Sequence, residues 1–196
     1  MMLIIIFYKK ISLTHSKVFV IAGNHEYYNG NDIKDVEKQI QTVCEELDIH
    51  FLQKNSIEYN GVTFLGCTLW SHTTNPSLCK YMNDFYKIKD FTFDSYIITH
   101  LDHKEWLENE LKNNNKTCVI THHLPLVCLV DDKFKTHPLN SFFSSDIDTT
   151  GATHWCYGHT HQAAYNNIAG VHYHCNPKGY DRETSGWDLD YIFNIE

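Results

Sequence analysis

The stretch Val18-Phe19-Val20-Ile21-Ala22-Gly23-Asn24-His25-Glu26 decides the fold. Its five apolar residues run straight into Gly23, the pattern of a short strand buried on both faces in a parallel sheet. The polar residues after the glycine then stand at the strand's carboxyl end, where open α/β sheets carry their ligands. Two later runs end the same way. Thr117-Cys118-Val119-Ile120 passes into Thr121-His122-His123-Leu124-Pro125, and Trp155-Cys156-Tyr157 passes into Gly158-His159-Thr160-His161.

Between these runs the periodicity changes. Ile33, Val36, Ile40, Val43 and Leu47 recur at helical spacing over residues 32–47, with Asn31 or Asp32 placed to cap the start. Residues 56–59 and 62–65 flank Asn60-Gly61, a strong hairpin signal. Residues 76–90 read as an irregular, aromatic-rich insertion over the sheet. A second helix is expected over residues 102–111, ended by Asn113-Asn114-Asn115. Residues 126–150 form a long mixed segment, and two short strands are expected around 163–166 and 171–174. Strands alternating with helices, plus a hairpin, give an α/β domain. The chain shows no internal repeat and no Pro-, Gly- or Ser-rich linker, so one domain over residues 1–196 is expected.

The 196 residues are 42% hydrophobic and 20% charged, enough for one sizeable core and too few charges for global disorder. A net charge of −8 argues against phosphate-backbone binding as the main role, so no nucleic-acid patch is expected. The seven cysteines are spread without a CxxC, the usage of free thiols in a reducing compartment. The apolar start over residues 1–7 is far short of the roughly 20 residues a span needs. It has neither a basic segment before it nor a small-residue cleavage site after it, so a cytoplasmic protein without a membrane segment is expected.

The three strand-end motifs carry metal-ligand chemistry. Imidazole suits zinc, iron, nickel or manganese, and an Asn oxygen can join it. A His beside a ligand can move a proton. In Gly158-His159-Thr160-His161 two His one residue apart project to one side if the chain is extended, and Gly158 allows backbone and metal to approach. His122 is the first residue past its strand, whereas His123 would point away. The alternatives are ordinary: Asn and Gly belong in turns, and a bare HxH is common among 14 His. A second HxH, His172 and His174, reads as strand residues. His100 and His103, one helical turn apart, read as a solvated face.

Taken together, the motifs resemble the calcineurin-like metallophosphoesterase superfamily. Its pattern runs Asp-x-His, Gly-Asp, Gly-Asn-His-Asp/Glu, a strand-end His, then Gly-His-x-His, and the last three blocks stand here in order. Leu69-Trp70-Ser71, Met82-Asn83-Asp84-Phe85 and Asn176-Pro177-Lys178-Gly179-Tyr180 are similar to a bacterial-type cytosolic subgroup. The resemblance implies a sandwich of two mixed β-sheets flanked by helices. It implies hydrolysis of a phosphate mono- or diester by a metal-bound hydroxide, on two divalent ions (Mn, Fe, Zn or Ni). Carried over by residue, Asn24, His122 and His159 resemble ligands of one metal, and His161 a ligand of the other. His25 resembles the catalytic His at the leaving group, Glu26 holds the turn or orients His25, and His72 and Tyr81 face the substrate cleft.

Asp-x-His and Gly-Asp are absent, and the first 22 residues contain neither Asp nor Glu. The expectation is a member lacking its first strands, with one metal or none. A second reading is an inactive remnant that binds a single metal, or binds a partner through an exposed sheet edge.

Overall fold

The computed structural model describes residues 2–28, 30–113 and 116–195, with side chains from residue 6 onward. Residues 114 and 115 of the expected helix-ending Asn run lie outside the described residues, as does Met1. In chain order the elements are α1 (Met2–Ser12), β1 (Phe19–Val20), α2 (Ile33–Glu46), β2 (His50–Phe51), β3 (Asn55–Tyr59), β4 (Val62–Cys67), α3 (Asp84–Lys87), α4 (Phe93–Leu111), β5 (Thr117–Thr121), β6 (His154–Cys156), β7 (Ala164–Ile168) and β8 (Val171–Cys175). They form a mixed sheet in the order β3-β4-β5-β6-β8-β7, and β1 pairs with β2 in parallel as a separate two-stranded sheet.

Local chemistry explains most boundaries. The Asn60-Gly61 turn has both residues at positive φ, 52° and 75°, the twist that matches a two-residue hairpin. β3 and β4 accordingly pair antiparallel. β4, β5, β6 and β8 run parallel, so their carboxyl ends open on one side. Asp32 caps α2 by accepting from Lys34 N. A Cβ on Gly66 would lie 2.4 Å from Leu52 Cβ, so the segment leaving β2 packs directly on β4.

One sheet face buries Leu65, Val119, Trp155 and Tyr173 beneath Leu107 and Leu111 of α4. A second cluster joins Ala22, Tyr27, Val36, Trp70, Tyr96 and Phe142. These clusters hold the strand ends that matter below.

Two expectations are corrected and one further segment is described. The helix expected over residues 102–111 begins at Phe93, where Thr92 and Ser95 form a reciprocal capping box. Its buried stripe is Tyr96, His100, His103, Leu107 and Leu111. Counting the two His as polar hid that stripe. His100 and His103 are therefore not a solvated face but 2% and 4% exposed. Their ring nitrogens satisfy backbone groups: His100 Nδ1–H donates to Trp70 O, and His103 Nδ1 accepts from Leu69 N at 3.2 Å. Finally, the apolar start forms helix α1, with Ile6 and Phe7 exposed. Among the described residues no helix is long and apolar enough to cross a membrane.

Candidate metal centre

One carbonyl ties two of the strand ends together. Thr68, just past β4, accepts at its O from His122 N and His123 N, both at 3.2 Å. Its hydroxyl donates to Ala22 O at 2.8 Å, anchoring the segment from β1. Gly158 N donates to His122 O at 3.0 Å and brings in the segment from β6. Glu26 accepts from Gly23 N at 2.8 Å and so holds the turn. The glycine that sterics demand is Gly23, because a Cβ there would meet the His122 ring at 2.8 Å. A Cβ on Gly158 would find its nearest neighbour at an ordinary 3.7 Å, so the close approach expected at Gly158 belongs to Gly23.

Asn24, His122 and His159 meet at this junction. His122 Nε2 lies 2.9 Å from Asn24 Oδ1 and 3.1 Å from His159 Nδ1. The Asn24 amide has one possible orientation. Its Nδ2 donates to Asp84 Oδ1 at 2.8 Å, and a carboxylate only accepts, so Oδ1 must face His122. Tyr28 Oη also donates to Asp84 Oδ1, at 2.8 Å.

His161 is held differently. Its Nδ1 pairs with Glu183 Oε2 at 2.6 Å, and the Tyr180 ring meets it edge-on with centroids 4.7 Å apart. His159 has φ +63°, so the motif is bent rather than extended and its two rings do not lie side by side as expected. His25 is exposed and stacks on Tyr28 at 4.5 Å, with the Tyr180 ring tilted to it at 6.2 Å. His123 is buried, with Nδ1 3.3 Å from Thr68 O, and its ring packs on both His159 and Trp70, centroids 4.3 and 5.2 Å away.

Burial is the main force on the titration of the central pair. It pushes His122 down to about 3, helped by the charges His25 and His161 carry when protonated. His159 is held well below the usual imidazole range by burial first, then by His123, His122, His161 and His25. Both rings are neutral near pH 7, so each has a lone pair to offer.

These residues fit a divalent cation. Donor atoms about 2.0–2.1 Å from a tetrahedral zinc ion lie roughly 3.4 Å apart, a small expansion from the two contacts His122 Nε2 makes here. Among the described residues, His159 Nε2 is buried without a hydrogen-bond partner. Among the described residues no group of three or more His, Cys, Asp or Glu has metal-binding geometry, and the junction here joins two His and an Asn.

Other residues singled out by sequence lie elsewhere. His72 lines a depression with His100, Lys104, Ser141 and Ser145 that contains none of the five motif residues. Tyr81 is 61% exposed. His172 Nδ1 pairs with Tyr165 Oη at 2.6 Å, and His174 Nδ1 with Tyr191 Oη at 2.8 Å. Sequence reading missed the contacts of Asp84 and Glu183. Asp84 did leave a signal, a carboxylate with Met82, Phe85 and Ile88 close by in the sequence.

Comparison with known proteins places the chain in a family. The chain is 30% identical over 209 aligned positions to the uncharacterized protein L509 of Acanthamoeba polyphaga mimivirus, covering 93% of this chain and 75% of that one. The crystal structure of a phosphopantetheinyl hydrolase from Mycobacterium tuberculosis shares the fold. It superposes with a TM-score of 0.66 at 14% identity, over 95% of this chain and 83% of that one. The profile of the calcineurin-like phosphoesterases matches residues 3–163. With that match spanning most of the chain, the protein belongs to the calcineurin-like phosphoesterase family.

Proposed function

We propose that this chain is a metal-dependent phosphoesterase acting on a phosphate mono- or diester. The observation that carries the reading is the meeting of Asn24 Oδ1, His122 Nε2 and His159 Nδ1 from three separate strand ends, within 2.9–3.1 Å along the contacts to His122. These three would hold one divalent ion. His161 would serve a second ion through Nε2, since Glu183 occupies its Nδ1. The metal supplies Lewis-acid charge to a phosphoryl group and lowers the pKa of water. His25, exposed beside the junction, would place a proton on the departing oxygen. Tyr28 and Tyr180 flank its ring and set its orientation. Seven unpaired cysteines favour a reducing compartment such as the cytoplasm.

A second reading has its own observation. The three central ligands are neutral, and among the described residues the carboxylate touching a motif imidazole, Glu183, sits on Nδ1 of the more exposed His161. That set suits a single bound ion without the two-ion clamp on attacking and leaving oxygens. Purified chain with excess Mn²⁺ or Zn²⁺ and a chromogenic phosphodiester separates the readings. Turnover near typical enzyme values of about 1–10³ s⁻¹, lost in His25→Ala, supports the enzyme. Stoichiometric metal binding without turnover supports the single-ion protein. Absence of metal binding sinks both.

A further inference from the structure

Asp84 is 2% exposed, at the start of the four-residue helix α3. Its Oδ1 accepts from two neutral donors, Asn24 Nδ2 and Tyr28 Oη, each at 2.8 Å. Among the described residues no Lys, Arg or His nitrogen lies within ion-pairing distance of it, and Lys87 instead lies over the Tyr28 ring. A buried carboxylate with no cation is costly, and folded proteins keep such groups when they are paired or serve a metal. The cluster beside it, on the far side of the Asn24 amide, joins Asn24, His122 and His159, with His122 Nε2 2.9 Å from Asn24 Oδ1 and 3.1 Å from His159 Nδ1, and none of the three is an acid. A divalent ion there would have no anionic ligand among these three.

We propose that Asp84 is the positioning residue of the metal centre: it locks the Asn24 amide with Oδ1 toward the ion and supplies, through that amide, the negative charge the three ligands lack. A positive ion one amide away compensates the buried carboxylate, and the carboxylate polarises the amide so that its oxygen is a stronger donor. The inference rests on the metal reading of this site. It accounts for an unpaired buried charge that packing alone would disfavour.

The test pairs metal affinity with stability of the metal-free chain. Asp84→Asn keeps the shape, removes the charge and allows the Asn24 amide to flip. Mn²⁺ titration calorimetry is expected to show at least a tenfold loss of affinity. The metal-free melting temperature should stay level or rise, because an uncompensated buried charge has gone. Tyr28→Phe removes the other donor and the weaker 3.3 Å contact from Asn24 Nδ2 to Tyr28 Oη, but leaves the Asp84 charge and its 2.8 Å bond from Asn24, so its affinity should stay within threefold of the parent. In the unaltered chain, the Asn24 side-chain amide resonances should shift as Mg²⁺ or Zn²⁺ (diamagnetic probes) is added. Asp84→Asn binding within twofold of the parent overturns the assignment, as does an equal loss in Tyr28→Phe. If Asp84→Asn fails to fold, unmoved Asn24 amide signals in a metal-saturated parent overturn it instead. A parent chain that binds no ion defeats the metal reading itself, a separate result from binding that ignores Asp84.

Discussion

Two groups of histidines lie on this fold, and they differ in what satisfies their nitrogens. At the strand ends, His122 turns toward both His159 and Asn24 Oδ1, and among the described residues His159 Nε2 has no hydrogen-bond partner. Across the sheet, on neighbouring register positions of β6 and β8, His154, His172 and His174 are answered by other groups. His154 Nδ1 meets His174 Nε2 at 3.0 Å, His174 Nδ1 meets Tyr191 Oη, and His172 Nδ1 meets Tyr165 Oη. Phe193 stacks on His174 with centroids 3.7 Å apart. Both groups contain an HxH. The lesson is that spacing does not separate a ligand from a structural His; the partner on each nitrogen does.

The largest expected effect breaks that contrast outright. His122→Ala should lose Mn²⁺ or Zn²⁺ binding by at least about 100-fold, since losing one of few ligands removes most of the affinity of such a site. His172→Ala should bind as the parent does. Calorimetric titration of both variants decides, and the reverse pattern would mean that the second group is the metal site.

Next comes a steric test. Gly23→Ala puts a methyl group 2.8 Å from the His122 ring, so the imidazole must move off the Asn24–His159 junction. Metal affinity should fall about tenfold, in line with the 10–100-fold typical when a ligand's support is lost. Gly158→Ala, whose new Cβ finds open room, should stay within a few-fold. Equal losses in the two would show that the glycines act through backbone freedom rather than through the His122 ring.

The third test concerns pH. Burial lowers both His100 and His103 to about 4 from the usual 6.5. The unfolded chain therefore takes up more protons between pH 6.5 and 4, and folding stability must decline as pH falls through that window. The contribution is complete above pH 6.5. Denaturant melts at pH 7.5 and 5 should show the loss, and His103→Leu should show less of it. The same variant strands Leu69 N–H, which should cost about 1–3 kcal/mol at pH 7.5. A stability curve flat from pH 7.5 to 5 would contradict the buried, neutral state of both rings.

The smallest effect sharpens the second histidine group. Tyr191→Phe removes the hydroxyl facing His174 but keeps the ring, and should cost about 0.5–1.5 kcal/mol without changing metal affinity. A change in metal affinity would couple the two groups and blur the distinction between them.

By itself, the sequence determined the elements with a strong local rule and the residue types at the strand ends. The Asn60-Gly61 hairpin, helix α2 and strand β5 follow from turn chemistry and apolar period, which neighbouring residues along the chain decide. Asn24, His122 and His159 were legible because each stands just past an apolar strand or the glycine that follows it. Helix α4 was only half legible, because a histidine can be core or surface and nothing in its spacing says which. Tertiary structure decided that, by placing the Leu69 and Trp70 backbone groups against the two rings. It also brought Asp84 to Asn24 across 60 residues and Glu183 to His161 across 22. Such pairings depend on where the sheet and its loops close in space, and no local propensity encodes the partner of a carboxylate that far away.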